Sequence, residues 1–83
     1  MLIIRNPATG ATIAELQQDD AQSVSAKYLA ARAAQPAWAA QLLPNRIDVL
    51  RRFRDALTND VERLAAVLTS ETGKPIRQST NEI

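Results

Sequence analysis

The chain has 83 residues, a net charge of +1, and neither cysteine nor histidine. So small a domain hides only about 60% of the surface its unfolded chain exposes, so there is little core to spare. The missing residue types exclude disulfides, thiolate chemistry, most transition-metal sites and the usual general base. The near-neutral charge gives no general drive towards nucleic acid or membrane, and no secretory or membrane-length apolar run is present, so a soluble cytoplasmic protein is expected. Hydrophobic residues make up 46% but aromatics only 4%. Tyr28, Trp38 and Phe53 are therefore expected to carry much of the packing, and truncating Trp38 or Phe53 to Ala would cost about 3–5 kcal/mol if the site were fully buried.

Two short apolar runs, Leu2 to Arg5 and Thr12 to Leu16, flank Asn6-Pro7-Ala8-Thr9-Gly10. Pro7 fixes its own φ and Gly10 can take φ > 0 on the return, which spells a β-hairpin over about 2–16. The period then becomes helical. Asp19 and Asp20 are acidic N-cap candidates for a helix over about 20–35, with Val24, Tyr28, Ala31 and Gln35 at helical spacing. Pro36 predicts a kink or break, leaving Trp38 to anchor a short second piece. Pro44 suits the first turn of a helix over about 44–57, with Ile47, Leu50, Phe53 and Leu57 on one face and a poor cap at Leu43. Asn59 with Glu62 resembles a capping box for a helix over about 60–72, whose stripe is Val61, Leu64, Ala65 and Leu68. Gly73 suits the left-handed position that ends a helix, and Pro75 opens a further helix over about 76–83, with Thr80 and Ile83 on the face of Ile76 and no C-terminal cap signal. The expected class is mainly α with a short N-terminal β-hairpin: an α+β fragment with about four helices.

The candidate chemistry is sparse. Gly73-Lys74 lacks the earlier glycine, the following Ser or Thr and the preceding strand of a phosphate loop, so a helix stop is the better reading. Arg46, Arg51, Arg52 and Arg54 form the only basic cluster, and two helices joined by a turn could pass for a DNA-reading pair. Asp48 before Arg52 and Arg51 before Asp55, each at i,i+4, instead favour a solvated, ion-paired face. Glu71 and Glu82 have no nucleophile, histidine or metal cluster to work with, and nothing can take a proton from Thr9, Thr12 or Ser70.

Taken in order, the Asn-Pro-Ala-Thr-Gly turn, the strand Thr12 to Leu16, the Asp-rich helix entry, Ala30 to Ala34 followed by Trp38, Arg46 with Leu50-Arg51-Arg52-Phe53, and Glu71-Thr72-Gly73-Lys74-Pro75 resemble the start of an NAD(P)-dependent aldehyde dehydrogenase. The resemblance covers nearly the whole chain. It implies an N-terminal portion of the cofactor-binding domain, buttressing its Rossmann-like part, in a parent enzyme of several hundred residues that oxidises an aldehyde to a carboxylic acid with NAD or NADP. The family's cysteine nucleophile, glutamate base, oxyanion-hole asparagine and main cofactor contacts lie in later sequence. Accordingly, no catalytic or cofactor-binding residue carries over to a position here, and the chain alone is expected to bind no nucleotide. Some members hold a structural monovalent cation through carbonyls just before the Asn-Pro pair and an acidic residue after Gly-Lys-Pro, which the resemblance places at Ile4, Arg5 and Glu82. The partners implied are the remainder of the dehydrogenase chain and, through apolar faces left uncovered, a second copy of this segment; neither nucleic acid nor membrane is expected. The alternative is a self-sufficient small helical module that binds protein or DNA.

Overall fold

The computed structural model describes residues 1–83. In chain order the elements are β1 (Leu2–Arg5), β2 (Thr12–Leu16), α1 (Ala21–Ala40), α2 (Leu43–Asn59), α3 (Val61–Thr72) and α4 (Ile76–Glu82). The α+β class, the hairpin and the four helices are those expected from the sequence. The chain divides into two units, one of residues 1–17 with 55–83 and one of residues 18–54.

In the first unit, β1 and β2 pair antiparallel with Leu2 opposite Leu16, Ile3 opposite Glu15 and Ile4 opposite Ala14. The register then shifts so that Arg5 opposes Thr12, an irregularity that leaves Ile13 as the extra residue. The turn is closed from both sides. Asn6 N–H donates to the Ala11 carbonyl at 2.9 Å and Gly10 N–H to the Asn6 carbonyl at 2.8 Å, while Asn6 Oδ1 accepts from Ala8 N–H at 2.8 Å. Gly10 sits at φ 76°, in the left-handed region that only glycine enters without strain.

Helices α3 and α4 pack on each other and hold the two fully buried residues of the chain, Ala65 and Ser79. The half-buried positions Val61, Leu64 and Leu68 complete the stripe around Ala65, as its helical spacing requires. On α4 the buried position is Ser79, whereas Ile76 and Ile83 of the expected face are exposed. The α3 start also differs from expectation. Helix α2 runs through Asn59, so Asp60 is the N-cap: its carbonyl accepts from Leu64 N–H at 3.0 Å. Asn59 therefore cannot form a capping box with Glu62. The Asp60 side chain does not cap either, because Arg63 Nε engages its two oxygens at 3.0 and 2.9 Å.

The second unit contains α1 and most of α2. Asp20 caps α1 in a reciprocal box with Ser23: Ser23 N–H donates to Asp20 Oδ1 at 2.8 Å, and Asp20 N–H donates to Ser23 Oγ at 2.9 Å. Helix α1 passes through Pro36 without the expected break. Pro36 removes the donor to the Arg32 carbonyl, but Ala33, Ala34, Ala37, Ala39 and Ala40 are the strongest helix formers and carry the helix on to Gln41, whose N–H donates to the Trp38 carbonyl at 3.1 Å. Pro44 lies in the first turn of α2, which begins at Leu43, and the Leu42 carbonyl accepts from Arg46 N–H at 3.2 Å.

The aromatic anchors are the main correction. Trp38 is 41% exposed and Tyr28 and Phe53 are each 61% exposed. Val24, Ile47 and Leu50, also expected to face inward, are exposed as well. Neither α1 nor α2 buries a residue fully.

Candidate functional site

The two segments that punctuate the sequence meet in space. Helix α3 ends at Gly73, with φ 77° and ψ 8°, and Gly73 N–H donates to the Thr69 carbonyl at 2.9 Å. A β-carbon built on Gly73 would stand 3.3 Å from Pro7 Cγ, so the hairpin turn lies directly against the α3–α4 corner. Gly73 thus meets two demands at once, a left-handed backbone and the close approach of a proline ring.

Polar side chains fasten this corner. Thr72 Oγ1 donates to the Leu68 carbonyl at 2.7 Å and accepts from Lys74 N–H at 3.3 Å. Thr69 Oγ1 and Ser79 Oγ lie 2.8 Å apart, joining α3 to α4 where Ser79 is wholly buried. The Lys74 ammonium reaches past α4 to the Glu82 carboxylate and forms an ion pair with it. Lys74 is therefore engaged by a carboxylate and emerges from a helix end rather than from a strand, which removes the phosphate-loop reading.

The residues of the expected cation site are placed as follows. Ile4 is half-buried on β1, opposite Ala14. Arg5 turns its guanidinium along its own hairpin, donating from Nη1 to the Gly10 carbonyl and to Thr12 Oγ1, each at 3.3 Å. Glu82, on the last turn of α4, is half-exposed and held by Lys74.

In the second unit an open cleft of about 450 Å³ is lined by Ala37, Trp38, Gln41, Asn45, Asp48, Val49 and Arg52. Its charges are satisfied internally, since Arg52 Nε pairs with Asp48 Oδ2 at 3.2 Å, as the i,i+4 spacing predicts. Elsewhere three aspartates are held below the ordinary carboxylate range. Asp19 is lowered by hydrogen bonds from Lys27, at 2.7 Å, and from Ser23. Asp20 is lowered chiefly by the Ser23 N–H and Asp60 by Arg63, whose own pKa Asp60 raises. These are cap and surface ion pairs on exposed helix ends. Ser23 and Ser79 are not among the residues expected from the sequence; the position of Ser23 three residues after Asp20 is a legible signal of its capping role, and nothing in the local pattern marks Ser79.

The Aldehyde dehydrogenase family model matches residues 2–83. The N-succinylglutamate 5-semialdehyde dehydrogenase of Novosphingobium aromaticivorans is 39% identical over 82 residues, which is 99% of this chain and 17% of that protein. The protein of the same description from Chromobacterium violaceum is 44% identical over 78 residues, or 94% of this chain and 16% of the relative. The chain thus spans about a sixth of the length of the curated relatives it matches. No solved structure matches it. The match over nearly every residue places this chain in the aldehyde dehydrogenase family.

Proposed function

We propose that these residues are a non-catalytic scaffold segment of an NAD(P)-dependent aldehyde dehydrogenase. The observation that carries this reading is the family match over residues 2–83 in relatives about six times as long, in a chain with no cysteine. An enzyme of this family needs a thiolate to attack the aldehyde carbonyl and a site to receive hydride on the nicotinamide. Neither the nucleophile nor a Gly-rich strand-to-helix turn is among these residues. In the whole enzyme the segment contributes stability and position, and NAD or NADP binds through other residues. The names of the relatives favour a semialdehyde carrying an acidic acyl-amino acid as the substrate of the parent.

The partner of the segment is the rest of a dehydrogenase polypeptide. Leu2, Ile3, Tyr28, Leu50, Phe53 and Ile76 are among many large apolar residues left exposed, more than a self-sufficient domain leaves uncovered. In isolation the same faces pair with those of a second copy. No helix is long and apolar enough to cross a membrane, in keeping with a cytoplasmic enzyme. The DNA-binding alternative has no support: Arg52 is neutralised by Asp48, and Arg54 is also engaged. Calorimetric titration of the chain with NAD and with NADP is the test. No saturable heat is expected, and a saturable isotherm with either nucleotide would overturn the scaffold reading.

A further inference from the structure

We propose that Arg46 and the leucine-rich start of α2 form a docking surface for an apolar segment of the parent polypeptide that carries a carboxylate, with the guanidinium as its anchor. The proposal rests on the scaffold reading and names the chemistry of the partner which that reading requires. Arg46 is half-buried, and its Nε is the one enclosed side-chain polar atom of the chain without a hydrogen-bond partner. Enclosing a donor without an acceptor is destabilising, more so on a charged group, so this arginine calls for an acceptor that these residues do not supply. Nη1 and Nη2 are not enclosed in this way, which leaves the outer edge of the fork open to an incoming group.

The surroundings of Arg46 point the same way. Its neighbours along the helix surface are Leu42 and Leu43 on one side and Val49 and Leu50 on the other, all four apolar and all four exposed. No carboxylate stands at a spacing from which it would pair with Arg46 along the helix. Arg52 shows the contrast, since Asp48 four residues before it binds its Nε at 3.2 Å. An arginine ringed by exposed leucines has the makeup of an interface anchor, where apolar residues keep water from a desolvated guanidinium. The planar fork then selects the partner, because a carboxylate accepts two parallel N–H···O bonds from it and a single backbone carbonyl does not. A second copy of this chain fits less well: it would cover the leucines, but Asp48, the carboxylate of this helix turn, is already held by Arg52.

The test mixes the chain with the Chromobacterium violaceum relative expressed without its matching N-terminal segment, under conditions in which the relative's own segment binds. Calorimetry gives the affinity of the native chain, Arg46→Met and Arg46→Lys, and each isolated chain is followed by urea unfolding and sedimentation. Arg46→Met should leave the unfolding midpoint unchanged or raise it, because it removes the enclosed donor and keeps an apolar stem. The same variant should bind about 30-fold or more weakly, because the partner's carboxylate is left unpaired. Arg46→Lys keeps the charge but not the fork, so its affinity should fall between the two. Equal affinity for the native chain and Arg46→Met would overturn the proposal and leave the scaffold reading intact, as would a parallel loss of midpoint and affinity, which marks a residue needed only for folding. No association by the native chain would overturn both. A native homodimer that Arg46→Met dissociates would name a second copy as the occupant and overturn the proposal.

Discussion

Replacing Gly73 with Ala tests the corner where the hairpin turn meets the α3–α4 connection, and Gly10 supplies an internal control. The two glycines have nearly the same backbone, φ 77° and 76°, but a β-carbon on Gly73 meets Pro7 Cγ at 3.3 Å whereas one on Gly10 meets nothing within 4 Å. Placing an L-residue in the left-handed region costs about 1–2 kcal/mol. Gly10→Ala should lose that amount alone. Gly73→Ala should lose it and also force the proline ring back by a few tenths of an ångström, so its total should be the larger of the two. Truncating the ring relieves the second contribution and leaves the first. In a double-mutant cycle, Pro7→Ala and Gly73→Ala should therefore be non-additive, with the pair costing less than the sum of the singles by about 0.5 kcal/mol or more. Urea unfolding followed by circular dichroism measures all four variants. Equal losses for the two glycine variants, together with strict additivity with Pro7→Ala, would show that the turn and the corner are not in contact.

Other expectations concern single groups. Ser79→Ala should cost about 1 kcal/mol by leaving the Thr69 hydroxyl without its partner, and Ser79→Val should cost more by overfilling a site with no exposed surface, both measurable as shifts in the urea midpoint. Asp19, Asp20 and Asp60 all have lowered pKa values in the fold, so each contributes stability that is fully present above the ordinary carboxylate value of about 3.9 and is lost as pH falls through the lower, folded value. Acid titration of helicity should accordingly show the loss below about pH 4, and Asp20→Asn should reduce the share arising at the start of α1. Trp38, the only tryptophan and 41% exposed, should be readily quenched by acrylamide in the isolated chain; strong protection from quenching in dilute monomer would contradict its placement.

The strands were legible residue by residue, because a proline and a glycine bracket a turn whose Asn6 side chain closes it. The α3 stripe was legible as well, since Val61, Leu64, Ala65 and Leu68 combine helical spacing with one face that another helix covers. Pro36 misled for a physical reason: a single missing donor weakens a helix, but an alanine-rich surround can carry the helix across it. Asn59 misled because capping depends on where the preceding helix stops, and α2 runs on to Asn59 itself, past the expected end near Leu57. Trp38 and Phe53 misled because hydrophobicity states a demand for cover without stating whether the same 83 residues supply it. The contact between Pro7 and Gly73 was not legible, since it joins residues 66 positions apart that no local period relates. Nor was the Lys74–Glu82 pair, which depends on how α4 leaves the corner.

The most direct test of the scaffold account is complementation. The Chromobacterium violaceum relative, expressed without its matching N-terminal segment, is mixed with this chain and assayed for aldehyde-dependent reduction of NAD and NADP by nicotinamide absorbance. Neither component alone should show activity, and the mixture should regain it, with this chain acting in place of the relative's own segment. Turnover by the 83-residue chain alone would contradict the account, as would a failure of the mixture under conditions in which the relative's own segment restores activity.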